Sequence, residues 1–524
     1  MKVLVAEKLA PEGIALLQED HEVDVRLGMS REEYLAALPE YDALLVRSGV
    51  KADAEAIAAG KRLVVIGRAG VGVDNIDIPA ATEAGITVVN APTGNTTAAA
   101  EHTIALLFAL SRNIAAADAS MHAGHWNRSA FMGRELVDKT LGVIGLGKIG
   151  MAVADRARAL GMHVLGYDPY VTDDAARAHG IERMSVEEIL KTADAVTVHV
   201  PKTKDTANLI SSDELATMKP RAWIINVARG GVVDEAALAA ALEAGTIAAA
   251  AVDVYSSEPP AADNPLLTAP NIILTPHLGA STAEAQTRVG VEAAEQVREV
   301  LAGRSARYAI NAPMLTPETA DALGPYIPLA RTLGQFYAQF SEELSDLTLE
   351  VAGELSEFDA GALVAAALGG ILEQHTEERV NTVNASALAK ARGIHLSTHH
   401  TQEAGRFSSL LTLKGGEHSV AGTVSFGDEP RLIALDGYEV DLAPAAHMLV
   451  SRHQDRPGAI GTVGRIMGEA DINISNMHLG RSDKRSIAFM ILALDEEVPE
   501  SVAEAVRSYE GMLDVWLVNL DLPS

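Results

Sequence analysis

Short apolar runs rich in β-branched residues alternate with helix-like stretches up to about Pro92: KVLVAE, DALLVRS, RLVVIGRAG and ITVVNAP, separated by segments such as residues 30–38. This alternation predicts a parallel sheet with crossover helices. Residues 95–123 follow as one long helical stretch, opened by Asn and Thr capping residues with Glu101 in an early turn, and read as a connector between domains. From Leu141 the alternation resumes through LGVIGLG, HVLGYD, AVTVHV, AWIINVAR, IAAAAVDV and IILTPH. Each is a short continuous apolar run, as a strand covered on both faces requires. The helical segment GASTAEAQTRVGVEAAEQVREVLAG is long enough, at about 1.5 Å per residue, to cross back to the first unit, so the first domain is expected to be discontinuous.

Pro313, Pro317, Pro325 and Pro328, with no long apolar run between them, mark a further boundary. Beyond it LTLEVAG, LLTLKGG and RLIALDG alternate with helix-like ALVAAALGGILEQ, and the last segment reads as a ferredoxin-like βαββαβ order. The expected architecture is therefore α/β. It has two doubly wound parallel-sheet, Rossmann-like domains (residues 1–95 with 287–311, and 96–286), an α+β intervening domain (312–445) and a C-terminal ferredoxin-like domain (446–524).

At 524 residues the chain exceeds what one hydrophobic core serves. Its 71 acidic and 42 basic side chains leave a charge of −29, which argues against nucleic acid and membrane surfaces as partners. An acidic protein that takes an anionic small molecule must gather its arginines in one cleft, because a local field can oppose the global one within about 8–10 Å. The absence of cysteine excludes disulfides, thiolate catalysis and Cys-type metal sites. His399 and His400 are adjacent, whereas ligands on one strand face would sit two apart, so they read as surface histidines and no metal is expected. The amino terminus lacks the basic start, apolar core and cleavage site of a secretory signal, and Glu243, Gly245 and Asp253 interrupt the apolar stretch 236–254. A cytoplasmic protein that spans no bilayer is expected.

Gly145-Leu146-Gly147-Lys148-Ile149-Gly150 follows the strand LGVIG and opens a helix. In that context the first glycine permits a tight turn, the second lets backbone N–H groups approach a pyrophosphate, and the third allows the helix to pack on the strand. The helix amino terminus faces the phosphates with unpaired N–H groups. Asp168 ends the next strand, where a carboxylate binds both ribose hydroxyls and repels a 2′-phosphate. Pro169 and Tyr170 follow it rather than an arginine, so NAD is expected over NADP. The loop Gly67-Arg68-Ala69-Gly70-Val71-Gly72 lacks this spacing and a helix start; its N–H groups from Gly70 to Gly72, with Arg68, suit a carboxylate or phosphate.

A nicotinamide enzyme acting on an alcohol needs a base for the hydroxyl proton and a cation for developing charge, both at strand ends beside the ring. Arg229 ends AWIINVAR, Glu258 follows AAAVDV and His277 ends IILTPH. His277 can accept the proton, Glu258 can orient its other nitrogen, and Arg229 can clamp a carboxylate and polarise the carbonyl.

Together GRAGVGVDNID, NAPTGNTTAAAEH, LGVIGLGKIG, GYDP, NVARGGVVDE, DVYSSEPP and TPHLGAST resemble the D-isomer-specific 2-hydroxyacid dehydrogenases over roughly residues 1–311, most closely the long-form branch that oxidises 3-phosphoglycerate. The resemblance puts the family's catalytic triad on Arg229, Glu258 and His277 and its nicotinamide-side aspartate on Asp253, with Val200, Ala228 and Gly279 also at the cofactor. It implies oxidation of 3-phosphoglycerate to 3-phosphohydroxypyruvate, the first step of serine synthesis. Arg47 and Arg68 would select the phosphate beside Gly70, Val71 and Gly72, with Arg128 and Arg134 as weaker candidates. Val71 stands where some relatives carry threonine, so a hydroxyl contact is missing there. The tail resembles an ACT regulatory domain through DRPGAI and DINI, which implies that His453, Asp455 and Asn473 hold serine at a dimer interface, and the resemblance favours a homotetramer. A hydroxypyruvate or glyoxylate reductase, and an NAD-sensing co-repressor-like binding protein, remain alternatives on the sequence alone.

Overall fold

The computed structural model describes residues 1–313, 317–376, 379–425, 427–481, 483 and 485–522. The first sheet comprises β1 (Lys2–Val5), β2 (Glu22–Val25), β3 (Ala43–Val46), β4 (Val65–Arg68) and β5 (Thr87–Asn90), all parallel, in the order β2-β1-β3-β4-β5. Both faces are covered, which is why its strands carry continuous apolar runs. Tyr34, Leu38 and Tyr41 lie in the core on one side; Leu17, Val289, Ala293 and Val297 lie in the core on the other. The last three belong to the helix Ala283–Leu301, so a late segment of the chain completes the first unit. It meets the helix Pro11–Gln18 closely: a Cβ at Gly13 would stand 2.6 Å from the carbonyl oxygen of Gly290.

The second sheet holds β6 (Thr140–Ile144), β7 (His163–Tyr167), β8 (Glu182–Arg183), β9 (Ala195–Val198), β10 (Trp223–Asn226), β11 (Ala249–Val252) and β12 (Ile272–Leu274). They are parallel in the order β12-β11-β10-β9-β6-β7-β8, a doubly wound sheet whose strand ends share one edge. The connector departs from the single helix expected. Helices Thr96–Ser111 and Ile114–His122 meet at a bend of 64°, at Asn113 with φ 53°, a left-handed conformation that asparagine tolerates and a helix cannot continue through. Asn95 stands at the N-cap of the first without a side-chain cap bond. No single helix among the described residues is long and apolar enough to cross a membrane; this bent pair is, by length and composition alone. The apolarity of its first member has a local cause, since Ala100, Leu106, Leu107 and Leu110 fill the core against the second sheet.

Six further strands form a mixed sheet: β13 (Asp346–Gly353), β14 (His395–Thr401), β15 (Ser409–Gly415), β16 (His418–Ser425), β17 (Glu429–Leu435) and β18 (Tyr438–Leu442), ordered β14-β13-β15-β16-β17-β18. Only β13 and β14 pair in parallel. On exposed β14, His400 Nδ1 lies 2.9 Å from the Ser356 carbonyl oxygen and His399 lies 3.6 Å from Glu350. The last module has β19 (His447–Gln454), β20 (Ile474–Arg481), β21 (Ile487–Leu494) and β22 (Met512–Asn519), antiparallel in the order β20-β21-β19-β22, with helices Ala459–Glu469 and Glu500–Arg507 on one face. Its other face shares a core with the preceding module, where Phe489 and Trp516 stack at 6.3 Å and Phe340 packs 4.7 Å from Trp516.

Candidate active site

The turn after β6 is built around glycine. Gly145 has φ 97°, and a Cβ at Gly150 would fall 1.9 Å from the Gly145 carbonyl oxygen, so neither position admits a side chain. Gly147 caps the helix Lys148–Ala159, and a Cβ there would meet nothing within 4 Å: the space over the helix amino terminus is open. Asp168 is held beside this turn, its Oδ2 accepting from Leu146 N at 2.9 Å and its Oδ1 from Tyr170 N at 2.9 Å. An open helix terminus with a carboxylate fixed at the end of the neighbouring strand fits a dinucleotide. Of the other residues expected there, Lys148 directs its ammonium over the Tyr308 ring and Ile149 packs on the core, leaving their backbone for a phosphate.

Asp253, at the end of β11, is fully buried. Its carboxylate accepts from Thr275 Oγ1 (2.5 Å), Leu278 N (2.7 Å) and Gly279 N (2.9 Å), with His102 Nε2 at 3.3 Å. Burial alone would push the carboxyl up; the bonds from His102, Thr275 and Leu278 outweigh it and hold the group below the usual range. His102 and Thr275 were not foreseen. Their signal lies in the fold, because the connector helix brings His102 from far along the chain.

Arg229, Glu258 and His277 follow β10, β11 and β12, and all three line one cleft of about 720 Å³. His277 Nδ1 lies 2.7 Å from Glu258 Oε2, and Glu258 Oε1 accepts from Tyr255 N at 3.1 Å. Burial raises the Glu258 carboxyl, but His277 and the Tyr255 N–H more than compensate, so it sits below its ordinary value and stays ionised. A carboxylate on Nδ1 leaves Nε2 as the nitrogen free to meet a substrate proton. Arg229 Nη1 donates to the Ala228 carbonyl at 2.7 Å and its Nε pairs with exposed Asp74 at 3.2 Å. A Cβ at Gly72 would stand 2.0 Å from the Arg229 guanidinium, which explains a glycine in that loop.

The cleft gathers cations, as the charge argument required. Arg47, Lys51, Arg68 and Lys202 line it beside Arg229. Arg68 is the most confined: its Nε is buried without a partner among the described residues, and burial, with Arg229 and Arg47 nearby, pushes its guanidinium down to about 10. That is the electrostatic condition of a site awaiting an anion. Gly70, Val71 and Gly72 line the same cleft, and Asn90 Nδ2 fixes the Val71 carbonyl at 2.6 Å. Arg128 and Arg134 do not line it; Arg134 donates to the Arg221 carbonyl at 2.7 Å and lies over the Trp223 ring. Lys51 and Lys202 were missed, although Lys202 follows β9 and the strand-end rule could have found it. Val200, Ala228 and Gly279 also lie just past strand ends of this sheet.

The three effector candidates do not meet within one chain. His453 is buried on β19 with Nδ1 unpartnered among the described residues, and burial lowers its pKa. Asp455 Oδ2 accepts from Arg481 Nη1 (2.8 Å) and Arg485 N (3.1 Å), and those bonds hold it below the usual carboxylate range. Asn473 donates instead to Asp495 (2.5 Å) and Glu496 (2.9 Å). His453 pairs with Ala488, whereas Ile474 pairs with Leu494. Six ladder positions at about 3.3 Å each put roughly 20 Å between them.

Family models match residues 104–279 as the NAD binding domain of D-isomer specific 2-hydroxyacid dehydrogenases, 322–436 as the D-3-phosphoglycerate dehydrogenase intervening domain, and 447–511 as an ACT domain. The D-3-phosphoglycerate dehydrogenase of Synechocystis sp. is 44% identical over 99% of this chain and 95% of its own length; that of Archaeoglobus fulgidus is 43% identical over 99% and 100%. Among solved structures, the TT0316 protein of Thermus thermophilus superposes with TM-score 0.54 at 35% identity, covering 59% of this chain and all of its own. A glyoxylate reductase from Paecilomyes thermophila gives TM-score 0.54 at 30% identity over 59% of this chain and 98% of its own. Two parallel sheets with their site between them are followed by an intervening domain and an ACT domain, in a chain that matches those relatives over nearly its whole length: the chain belongs to the D-3-phosphoglycerate dehydrogenases of the D-isomer-specific 2-hydroxyacid dehydrogenase family.

Proposed function

We propose that this cleft oxidises 3-phospho-D-glycerate to 3-phosphohydroxypyruvate with NAD, in serine biosynthesis. Gly145, Gly147, Gly150 and Asp168 would hold the dinucleotide, and Asp253 the nicotinamide side; the chemistry NAD supplies when bound is acceptance of a hydride. Arg229 clamps the substrate carboxylate and draws electron density from the carbonyl that develops at C2. His277 takes the C2 hydroxyl proton on Nε2, and ionised Glu258 stabilises the imidazolium formed. Arg47 and Arg68, with Lys51 and Lys202, face the phosphate. The observation that carries the reading is the 2.7 Å His277–Glu258 pair in a cleft that also holds Arg68, whose buried Nε has no partner among the described residues.

The experiment compares phosphorylated and unphosphorylated substrate. 3-Phosphoglycerate is expected to exceed glycerate in kcat/KM by about 30-fold or more, since leaving paired cations without their anion costs ~2 kcal/mol or more. Equal values would favour a hydroxypyruvate or glyoxylate reductase. The proposal extends to a cytoplasmic homotetramer inhibited by serine. It is supported by an effector set that lies about 20 Å apart within one chain, which a second copy would bring together with His453 and Asp455 of one subunit facing Asn473 of another.

A further inference from the structure

The first sheet carries a crevice of its own beside the catalytic cleft. In the order β2-β1-β3-β4-β5 the chain leaves β1 for β2 on one side and reaches β3 on the other. Open parallel sheets bind ligands outside the carboxyl ends of their strands at such a reversal point. The loops after β1, β2 and β3 enclose about 660 Å³ there, a volume suited to a small organic ligand.

The walls state what that ligand must be. Lys8, Arg47 and Lys51 line the crevice and make no ion pair among the described residues, whereas its acids are already engaged. Glu7 accepts from the N–H groups of Arg47 (2.6 Å), Gly49 (3.0 Å) and Val50 (3.1 Å), and Asp53 pairs with Arg31 at 2.6 Å. The surplus is positive and suits an anion with several acceptor oxygens. Leu27, Met29 and the Tyr34 ring supply an apolar surface. Tyr34 adds the sharpest observation: it is 4% exposed, its hydroxyl has no partner among the described residues, and the charges it feels come from Arg31, Asp53 and Glu7, all crevice residues. A buried tyrosine hydroxyl ordinarily finds a partner, and an oxygen of a bound anion provides one.

We propose that this crevice is a second ligand site for a small organic phosphate monoester with a flat apolar body, its anion among Lys8, Arg47, Lys51 and the Tyr34 hydroxyl and its body against Leu27 and Met29. Arg47 and Lys51 also line the catalytic cleft. Occupation therefore turns two cations away from the substrate phosphate and raises KM for 3-phosphoglycerate while kcat holds; this consequence alone rests on the function proposed above.

Calorimetric titration of the full chain, without substrate, with phenyl phosphate and with inorganic phosphate tests the site. Phenyl phosphate is expected to bind at least tenfold more tightly than inorganic phosphate. Met29→Glu and Leu27→Glu, the latter at a side chain already 55% exposed, are expected to abolish that margin, and Tyr34→Phe to weaken both ligands several-fold. Both glutamate variants should keep wild-type kcat, since neither residue lines the catalytic cleft, while a carboxylate beside Arg47 and Lys51 raises KM as an occupying anion would. Phenyl phosphate bound equally by wild type and Leu27→Glu, or no better than inorganic phosphate, overturns the proposal. A chain that shows the margin yet fails to turn over 3-phosphoglycerate would refute the proposed function and leave the second site standing.

Discussion

The catalytic half and the regulatory half of this chain assemble their polar residues in opposite ways. Arg229, Glu258 and His277 are far apart in sequence, but parallel strands deliver them to one edge, where a single chain completes the constellation. His453 and Asn473 are only twenty positions apart, yet an antiparallel ladder sends them to opposite ends of one sheet. A parallel sheet gathers a site within one chain; this small antiparallel module keeps its polar candidates apart, as the paired arrangement proposed above requires. Catalysis and regulation should therefore respond differently to whatever disturbs packing or association.

The largest separating effect is expected in the shared regulatory core. Phe489 is fully buried between the intervening and C-terminal modules, and Phe489→Ala should destabilise them by about 3–5 kcal/mol. Because the two modules share that core, calorimetry should show them unfolding together at a lower temperature while the catalytic half's transition stays in place. Separate melting of the two modules in the wild type would contradict a common core.

A smaller effect is expected at the effector half-sites. His453→Ala or Asn473→Ala should each relieve serine inhibition by tenfold or more in effector concentration, about 1.4 kcal/mol, with kcat unchanged. Mixed oligomers carrying both variants on different subunits should retain inhibition at the interfaces where His453 of one chain meets Asn473 of another. Undiminished inhibition in both single variants would place the effector elsewhere.

How far each half could be read from sequence follows from the same contrast. Strand-end placement and the strand-turn-helix context of Gly145 to Gly150 make the cleft legible in the sequence, because parallel-sheet topology turns strand order into spatial convergence. Lys51, Lys202 and His102 escaped: a lysine in a loop carries no local pattern, and His102 reaches Asp253 only because the connector helix packs across the second sheet. The bend at Asn113 was equally hidden, since both flanking helices are good helix formers and one residue's backbone conformation breaks them. In the regulatory half the order of elements was legible, but the distance from His453 to Asn473 depended on ladder register.

The smallest effect expected is on acid stability. Asp253 has its folded pKa depressed below the unfolded value of about 3.9, so it contributes stability that is present above that pH and lost as pH falls through the folded value. Asp253→Asn should flatten the loss of stability below about pH 4 in denaturant titrations, with no change near neutrality in its slope against pH. An unchanged acid limb would show that the carboxylate is not held in its charged form by Thr275 and Leu278.

The proposed oxidation depends most directly on His277 as the proton acceptor beside Glu258. Steady-state turnover of 3-phosphoglycerate and NAD by the wild type and by His277→Ala, with NAD affinity measured alongside, tests it. The expected result is a loss of about 10²-fold or more in kcat with NAD binding intact. A variant that keeps turnover within a few-fold of wild type would contradict it.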